Sequence, residues 1–497
     1  MAHFKTFFIS IKLFILWIIV TFSFAEDWLQ FKYNPQNSGN VPERSVTTPL
    51  GLLGAVPLTD AVLTAPVVKD GRVYAVDASG MAFCIDVSTM AVVWKFQSAG
   101  GKANCNNVSS PAIAGNHLHF GTMYGSYYVL KISDGSVVKE IRTGDPIFSA
   151  PAISDDRVYF STFGSRIYAL NFNGDIIWKW DYLFDKLVVP QAFFRWNGEK
   201  GARLGKYFMC VNSIAVNGRS IILPTGSHLI WLSDDGSRCS FIKEQMAPNM
   251  AIGNVMSMDE SGNVYWEFHG EGPSFEWFGV KAFYDKLNQG FEISSTLQGG
   301  SQGRVPSYCS VSSRDRKIYR SRAQEGFGLI IHDGLTGETV IGTAASIAPA
   351  IILDNTAVYG GLDGNLYVVP LSGTGEKWSF ATGFGKPISA PAAVCDGNIF
   401  FGGEDGYLYI LAPGGNAPLP TKDLELWKIR SGLTGNFTNS EYDWFSAMKN
   451  FQNINSAADQ VRTPIKMKWI RQYKGTGHDP SVCGGGRIYT HTSEGQT

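Results

Sequence analysis

Apolar and polar positions along the 497-residue chain fall into two regimes. The first is a single apolar run at residues 13–20, preceded by Lys5 and Lys12 and followed by Ser23-Phe24-Ala25. Cations, a short apolar stretch and a small-x-small end are the pattern of an export leader cut after Ala25. The run is too short to cross a bilayer as a retained anchor. The mature protein is therefore expected outside the cytoplasm, periplasmic or secreted, with no membrane span after cleavage.

The second regime is a repeated phrase of short alternating segments. A small-residue/Pro strand leads into an Asp-Gly turn and then a strand ending in Tyr or Phe. It reads Thr64-Ala65-Pro66-Val67-Val68-Lys69-Asp70-Gly71-Arg72-Val73-Tyr74 near the start and Ser389-Ala390-Pro391 to Phe400 near the end. The clear copies anchor at Pro66, Pro111, Pro151, Pro349 and Pro391, with spacings of 45, 40 and 42 where copies are adjacent. Three degenerate copies fit the gap after Pro151, at residues 213–219, 253–259 and 306–311. A period near 40 residues with several short strands marks a β-propeller, in which no blade buries both its faces alone. The expected fold is all-β, an eight-bladed β-propeller of four-stranded antiparallel blades. The segment at residues 51–58 precedes the first copy and is expected to be the outermost strand of the eighth blade, closing the ring. Residues 423–429 compete for that place.

A second phrase ends the blades: a turn rich in Asn, Asp, Thr and Gly, then a strand carrying Trp94, Trp178 or Trp378. The turn residues tolerate left-handed backbone angles, and the Trp is expected to pack on the neighbouring blade. Lys139 and Ile341 stand at the Trp offset in two copies, which predicts weaker docking there. The two phrases together resemble the pyrroloquinoline-quinone-type propeller repeat, with its A-x-D-x-x-T-G-K-x-x-W ending. Residues 169–178 follow that ending with one deletion, and residues 84–94 follow it with Cys84 for Ala and Met90-Ala91 for Gly-Lys. The resemblance covers most of residues 50–412. It implies the fold strongly and the function weakly, because the repeat serves both quinoprotein dehydrogenases and non-enzymatic outer-membrane assembly propellers.

Near the carboxyl end, Asp443-Trp444, Thr463-Pro464 and residues 486–489 repeat Asp27-Trp28, Thr48-Pro49 and residues 71–74 at offsets of 415 to 416. The organisation read from these patterns is a leader at 1–25, a propeller at 26–412, a linker at 413–442 and an incomplete first blade of a second propeller at 443–497. The chain is accordingly read as the amino-terminal part of a larger protein.

Charge narrows the function classes. Lys and Arg number 42 against 43 Asp and Glu, so there is no electrostatic footprint for nucleic acid or an anionic membrane. The 55 glycines and 13% aromatic residues suit many short strands joined by tight turns. Seven cysteines are scattered without a C-x-x-C pair and read mainly as small buried strand residues, although Cys84 and Cys105 lie on neighbouring blade segments.

The strongest candidate binding cluster lies where the repeat period breaks. Trp266, Glu267, His269, Glu271 and Trp277 combine stacking rings with polar or acid/base groups, and Trp196 lies in a second aromatic insertion. Long loops on a rigid scaffold collect binding residues, and such rings suit a sugar or another ring ligand. His117 and His119 share one strand face as a possible metal pair, but no third ligand accompanies them. Asn107-Val108-Ser109 and Asn436-Phe437-Thr438 are glycan acceptor triplets.

A quinoprotein dehydrogenase of the resembling family needs a calcium ion on oxygen ligands, an Asp base, a Trp floor under the quinone and commonly a Cys-Cys disulfide. No Cys-Cys occurs here and no calcium set is evident. The expected function is an exported, non-catalytic binding or assembly module that needs no cofactor. Its partner would be an envelope protein or a carbohydrate or other small-molecule ligand. The alternative is a pyrroloquinoline-quinone- and calcium-dependent oxidoreductase of alcohols or sugars.

Overall fold

The computed structural model describes residues 26–100, 107–186, 210, 212–225, 228–246, 256–259, 262–266, 281–285, 291–296, 311–323, 325–333, 337–420, 482–484 and 487–489. Among them lie eight four-stranded antiparallel sheets and one isolated hairpin, Val482–Gly484 with Arg487–Tyr489. Seven sheets are simple meanders whose inner strands begin at Val67, Ala112, Ala152, Ala215, Ser257, Val311 and Ile351. Three of these inner strands overlap the degenerate copies read from the sequence, at Ala215–Asn217, Ser257–Met258 and Val311.

The eighth sheet is composite. Its inner three strands, Ala393–Cys395, Asn398–Gly402 and Tyr407–Ala412, are joined by Gly51–Pro57, which pairs antiparallel with Tyr407–Ala412. The amino-terminal strand thus closes the ring, as the segment's position before the first blade predicts; residues 423–429 lie outside the described residues. Turns between the second and third strands, and the links to the next blade, share one face, here the upper. The remaining turns share the lower face.

Seven of the eight sheets carry a register shift between the third and outermost strands; the seventh blade, ending at Ala381, has none. One extra residue on the outer strand increases local twist. Just past that bulge sits the docking position. Trp94 packs on Tyr74 of its own blade and covers Gly135 in the turn of the second blade, so that a Cβ at Gly135 would lie 2.7 Å from the indole. Its Nε1 donates to the carbonyl of Ile132 at 2.9 Å. Lys139 covers Gly174 in the same way and adds a 3.0 Å ion pair to Asp175, so the missing Trp is replaced by a charged contact. In the sixth blade Ile341 is itself the extra residue of the bulge; it is fully buried, and it and Thr339 both lie within 3.5 Å of a Cβ placed at Gly373.

At the closure the pair is inverted. Gly54 occupies the register position of Trp94, and the side chain of Met90 from the first blade's turn fills the space above it. Met90 holds φ 58, the left-handed angle that glycine takes at the equivalent Gly135 and Gly174. The departure from the repeat at Met90 is explained by the departure at Gly54.

Residues 26–44 line the axis. Inner strands of a propeller present an unpaired backbone edge to the central channel, which is costly when buried. Here a strap satisfies it blade by blade. Trp28 and Val68 exchange two 2.8 Å backbone hydrogen bonds; the N–H groups of Ile113, Val216, Met258, Ser313 and Ile352 donate to the carbonyls of Leu29, Pro35, Gln36, Ser38 and Gly39 at 2.7 to 2.9 Å. Ile153 N–H uses the Gln30 side-chain oxygen at 2.9 Å, and the Arg44 guanidinium reaches the carbonyl of Val394. The strap touches all eight blades in chain order. At Gly39, φ 65, an added Cβ would lie 2.8 Å from the Ala350 carbonyl oxygen, so glycine is needed there. Lys32 is completely buried, its Nζ donating to the Val311 carbonyl, and burial pulls its pKa well below the usual lysine value.

Candidate functional site: a charged aromatic cleft on the upper rim

The sequence-predicted cluster is only partly visible. Trp266 ends the strand Val264–Trp266 and its backbone pairs with Lys281. Glu267, His269, Glu271, Trp277 and Trp196 lie outside the described residues. The His117/His119 pair is clear. His119 is fully buried, its Nε2 is 3.1 Å from the Phe172 carbonyl and its Nδ1 3.3 Å from the Tyr127 hydroxyl. Burial pushes its pKa down to about 3, and both nitrogens are engaged, so it acts as a core histidine. Asn107 is fully buried, which leaves no room for a glycan on it in this fold; Asn436 lies outside the described residues. Cys84, Cys210, Cys239 and Cys395 are free, and burial pushes the Cys84 and Cys210 thiols up to about 11. Cys105 lies outside the described residues.

A different site emerges where the second and third blades meet on the upper rim. The ends of the outer strands Val137–Arg142 and Ile176–Asp181, the start of Arg166–Leu170 and the turn Tyr182–Lys186 enclose a cleft of about 420 Å³. Arg142, Arg166 and Lys179 bring positive charge; Tyr168, Trp180 and Phe184 bring rings. The floor is rigid. Arg166 bridges Asp181 at 2.7 Å and Asp145 at 3.0 Å. Burial raises the Asp145 pKa against the pull of Arg166. Asp181 accepts the N–H groups of Leu183 and Phe184 at 3.0 and 3.1 Å, and Asp185 accepts the N–H of Asp181 at 2.7 Å. These bonds satisfy exposed backbone donors of the tight turn. Tyr182 anchors the turn to the fourth blade through a 2.8 Å hydrogen bond to Glu244.

The rim groups are available. Arg142 is 82% exposed despite a 3.2 Å contact to Glu140, Lys179 is exposed, and Phe184 is 56% exposed. Exposed cations beside an exposed ring can hold a carboxylate with an apolar neighbour. Sequence inspection passes over these residues because Arg142 and Lys179 read as ordinary solvent-facing strand positions. The only local signal was the break in repeat length after Asp181.

A second upper-face feature is the turn before Tyr407, where Asp405 is 3% exposed, accepts the Tyr409 hydroxyl at 2.7 Å and the Tyr407 N–H at 3.0 Å. Burial, with a contribution from Glu404, raises its pKa to about 6. The folded protein therefore holds this proton more tightly than the unfolded chain, whose Asp titrates near ~3.9. That stability is complete below about pH 4 and lost as pH rises through about 6, on the order of 2–3 kcal/mol. Urea midpoints at pH 4 and pH 7 should show this slope in the parent and a flatter one in Asp405→Asn; equal slopes would refute the assignment.

Calcium is held by several oxygen ligands converging on one point. Among the described residues no three His, Cys, Asp or Glu side chains form such a group. The buried neighbours Glu404 and Asp405 are turned to Ser389 and Tyr409. No reaction step is derived through calcium or a quinone.

Residues 55–192 match the family described as outer membrane protein assembly factor BamB. A BamB of that description from Shewanella oneidensis is 24% identical over 223 residues, 40% of this chain and 55% of that protein. The dehydrogenase subunit of a quinone alcohol dehydrogenase from Gluconacetobacter polyoxogenes is 24% identical over 251 residues, 43% of this chain and 33% of that protein. The chain thus matches about half the length of the first and a third of the second. The crystal structure of BamB from Moraxella catarrhalis superimposes with a TM-score of 0.51 at 12% identity, covering 75% of this chain and all of that one. At that identity the likeness speaks to fold alone. Repeat phrases, four-stranded blades and these matches agree: the chain carries the pyrroloquinoline-quinone-type β-propeller repeat.

Proposed function

We propose that this protein is an exported, non-catalytic β-propeller that holds a segment of an envelope protein in the upper-rim cleft between its second and third blades. The observation that carries the reading is the pairing of the exposed cations Arg142 and Lys179 with exposed Phe184 above a floor fixed by Arg166. The segment it suits bears carboxylates beside an aromatic or aliphatic side chain. The resemblance to outer-membrane assembly factors supports a partner in the envelope, and the leader pattern supports export. Among the described residues no helix is long and apolar enough to cross a membrane. The carboxyl-terminal hairpin fits the start of a further propeller, whose contribution would add to this one.

The second reading, a quinone- and calcium-dependent oxidoreductase, is favoured by the similarity to the alcohol dehydrogenase subunit. It predicts reduction of an artificial electron acceptor by an alcohol or sugar once the protein is supplied with quinone and calcium.

A photo-crosslinking residue at Phe184, expressed in the native envelope, tests the first reading. A discrete adduct is expected, reduced at least fivefold by Lys179→Glu with Arg142→Glu. No adduct above that from the same residue placed at exposed Phe327 on the sixth blade would refute the cleft as a docking site.

A further inference from the structure

The strap closes on itself at the point where the mature chain is expected to begin. The backbone nitrogen of Glu26 lies 3.2 and 3.3 Å from the two carboxylate oxygens of Asp396. In return the Glu26 carboxylate accepts the Asp396 N–H at 2.9 Å and stands 3.4 Å from Nε of Arg44. Asp396 occupies a lower-face turn of the eighth blade at φ 50, and Arg44, from the far end of the strap, lies 4.9 Å from the ring of Tyr33 and 5.4 Å from that of Trp28. Beside them Asp27 pairs with Lys69 at 3.5 Å and accepts the Asp70 N–H of the first blade at 3.2 Å. One cluster therefore ties together the beginning of the strap, its end, and the two blades flanking the ring closure.

While Glu26 remains bonded to Ala25, its nitrogen is a neutral amide with one hydrogen shared between two carboxylate oxygens. Hydrolysis by an envelope peptidase breaks the Ala25 carbonyl carbon to Glu26 nitrogen bond. Water supplies hydroxyl to the Ala25 carbonyl carbon and its other hydrogen to the nitrogen, and the resulting amine takes up the proton released by the new carboxyl group to stand as an ammonium at neutral pH. The two distances to Asp396 then describe a charged two-pronged contact, stronger than the amide's.

We propose that the Glu26 nitrogen and Asp396 form a maturation clasp: leader removal after Ala25 turns a weak amide contact into an ion pair that fastens the strap across the ring closure. The clasp rests on cleavage at that bond and is independent of the upper-rim cleft. It gives export a structural consequence, since the propeller reaches full stability only once the leader is gone.

A double-mutant cycle tests it with the whole mature chain. Proteins beginning at Glu26 or carrying a Gly-Ser extension before it are each prepared with Asp396 or Asp396→Asn, and unfolding is followed in urea. Coupling is expected: Asp396→Asn lowers the folding equilibrium constant of the Glu26-start protein about fivefold more than that of the extended protein. Hydrogen exchange at the Val68 amide, bonded to Trp28, should quicken on extension in the Asp396 protein and not further in Asp396→Asn. Additive effects would overturn the clasp. Terminal sequencing of protein from the envelope separates the two ways of failing: a start other than Glu26 removes the cleavage premise, whereas a Glu26 start with additive effects removes the clasp itself.

Discussion

Replacing Trp28 by alanine is expected to lower stability by roughly 3–5 kcal/mol, the range for emptying a large aromatic site in a packed core. Trp28 is fully buried and packs with Val41 and Val68 in the cluster that joins the strap to the first, seventh and eighth blades. Its ring lies 5.1 Å from that of Tyr33 and beneath the Arg44 guanidinium. Truncation thus removes apolar contact and a cation–π partner together. The strap also accepts backbone N–H groups from the inner strands of the first seven blades, so loosening it exposes those donors around the axis. Urea denaturation of parent and variant at one pH provides the measurement. A loss below about 1 kcal/mol would mean that the strap is a passenger rather than part of the core.

The second large effect concerns the ring closure. Gly54→Trp restores the residue that the repeat carries at this register, yet it should destabilise by about 2–3 kcal/mol through overpacking. Even a Cβ at this position would lie 2.6 Å from Sδ of Met90. Adding Met90→Gly removes the obstruction and gives the φ 58 position a residue that accepts it without strain. The double variant should return to within about 1 kcal/mol of the parent, because it recreates the Trp-over-Gly contact seen at Trp94 and Gly135. Costs that merely add would show that the closure is not an inverted copy of that contact.

The two cases show why some of the fold was legible in the sequence and some was not. Strand positions followed from the repeated small-residue/Pro phrase and from turns containing Asp70-Gly71, Gly218 or Asp396-Gly397, which are local signals. The eroded copies at residues 213–219, 253–259 and 306–311, placed by spacing, overlap inner strands beginning at Ala215, Ser257 and Val311. Lys139 was expected to weaken docking, but its ion pair to Asp175, 36 residues away, depends on a neighbouring turn that no local pattern encodes.

The candidate site divides along the same line. An insertion after Asp181 was visible as a change in period. The cleft needed Arg142, Arg166 and Lys179 from two blades to converge, and none departs from the ordinary polar face of its strand. The aromatic loop chosen from the sequence, with Glu267, His269, Glu271 and Trp277, has no described geometry.

By itself the sequence determined the blade period, the identity of the closing strand and the near-zero net charge, because each is written in composition or in spacing along the chain. Tertiary structure alone decided that residues 26–44 fill the axis, that Gly54 and Met90 exchange the roles of Trp and Gly, and that a charged aromatic cleft forms on the rim. These depend on residues as far apart as Glu26 and Asp396 meeting in space. Contacts of that range leave no periodic trace in the chain.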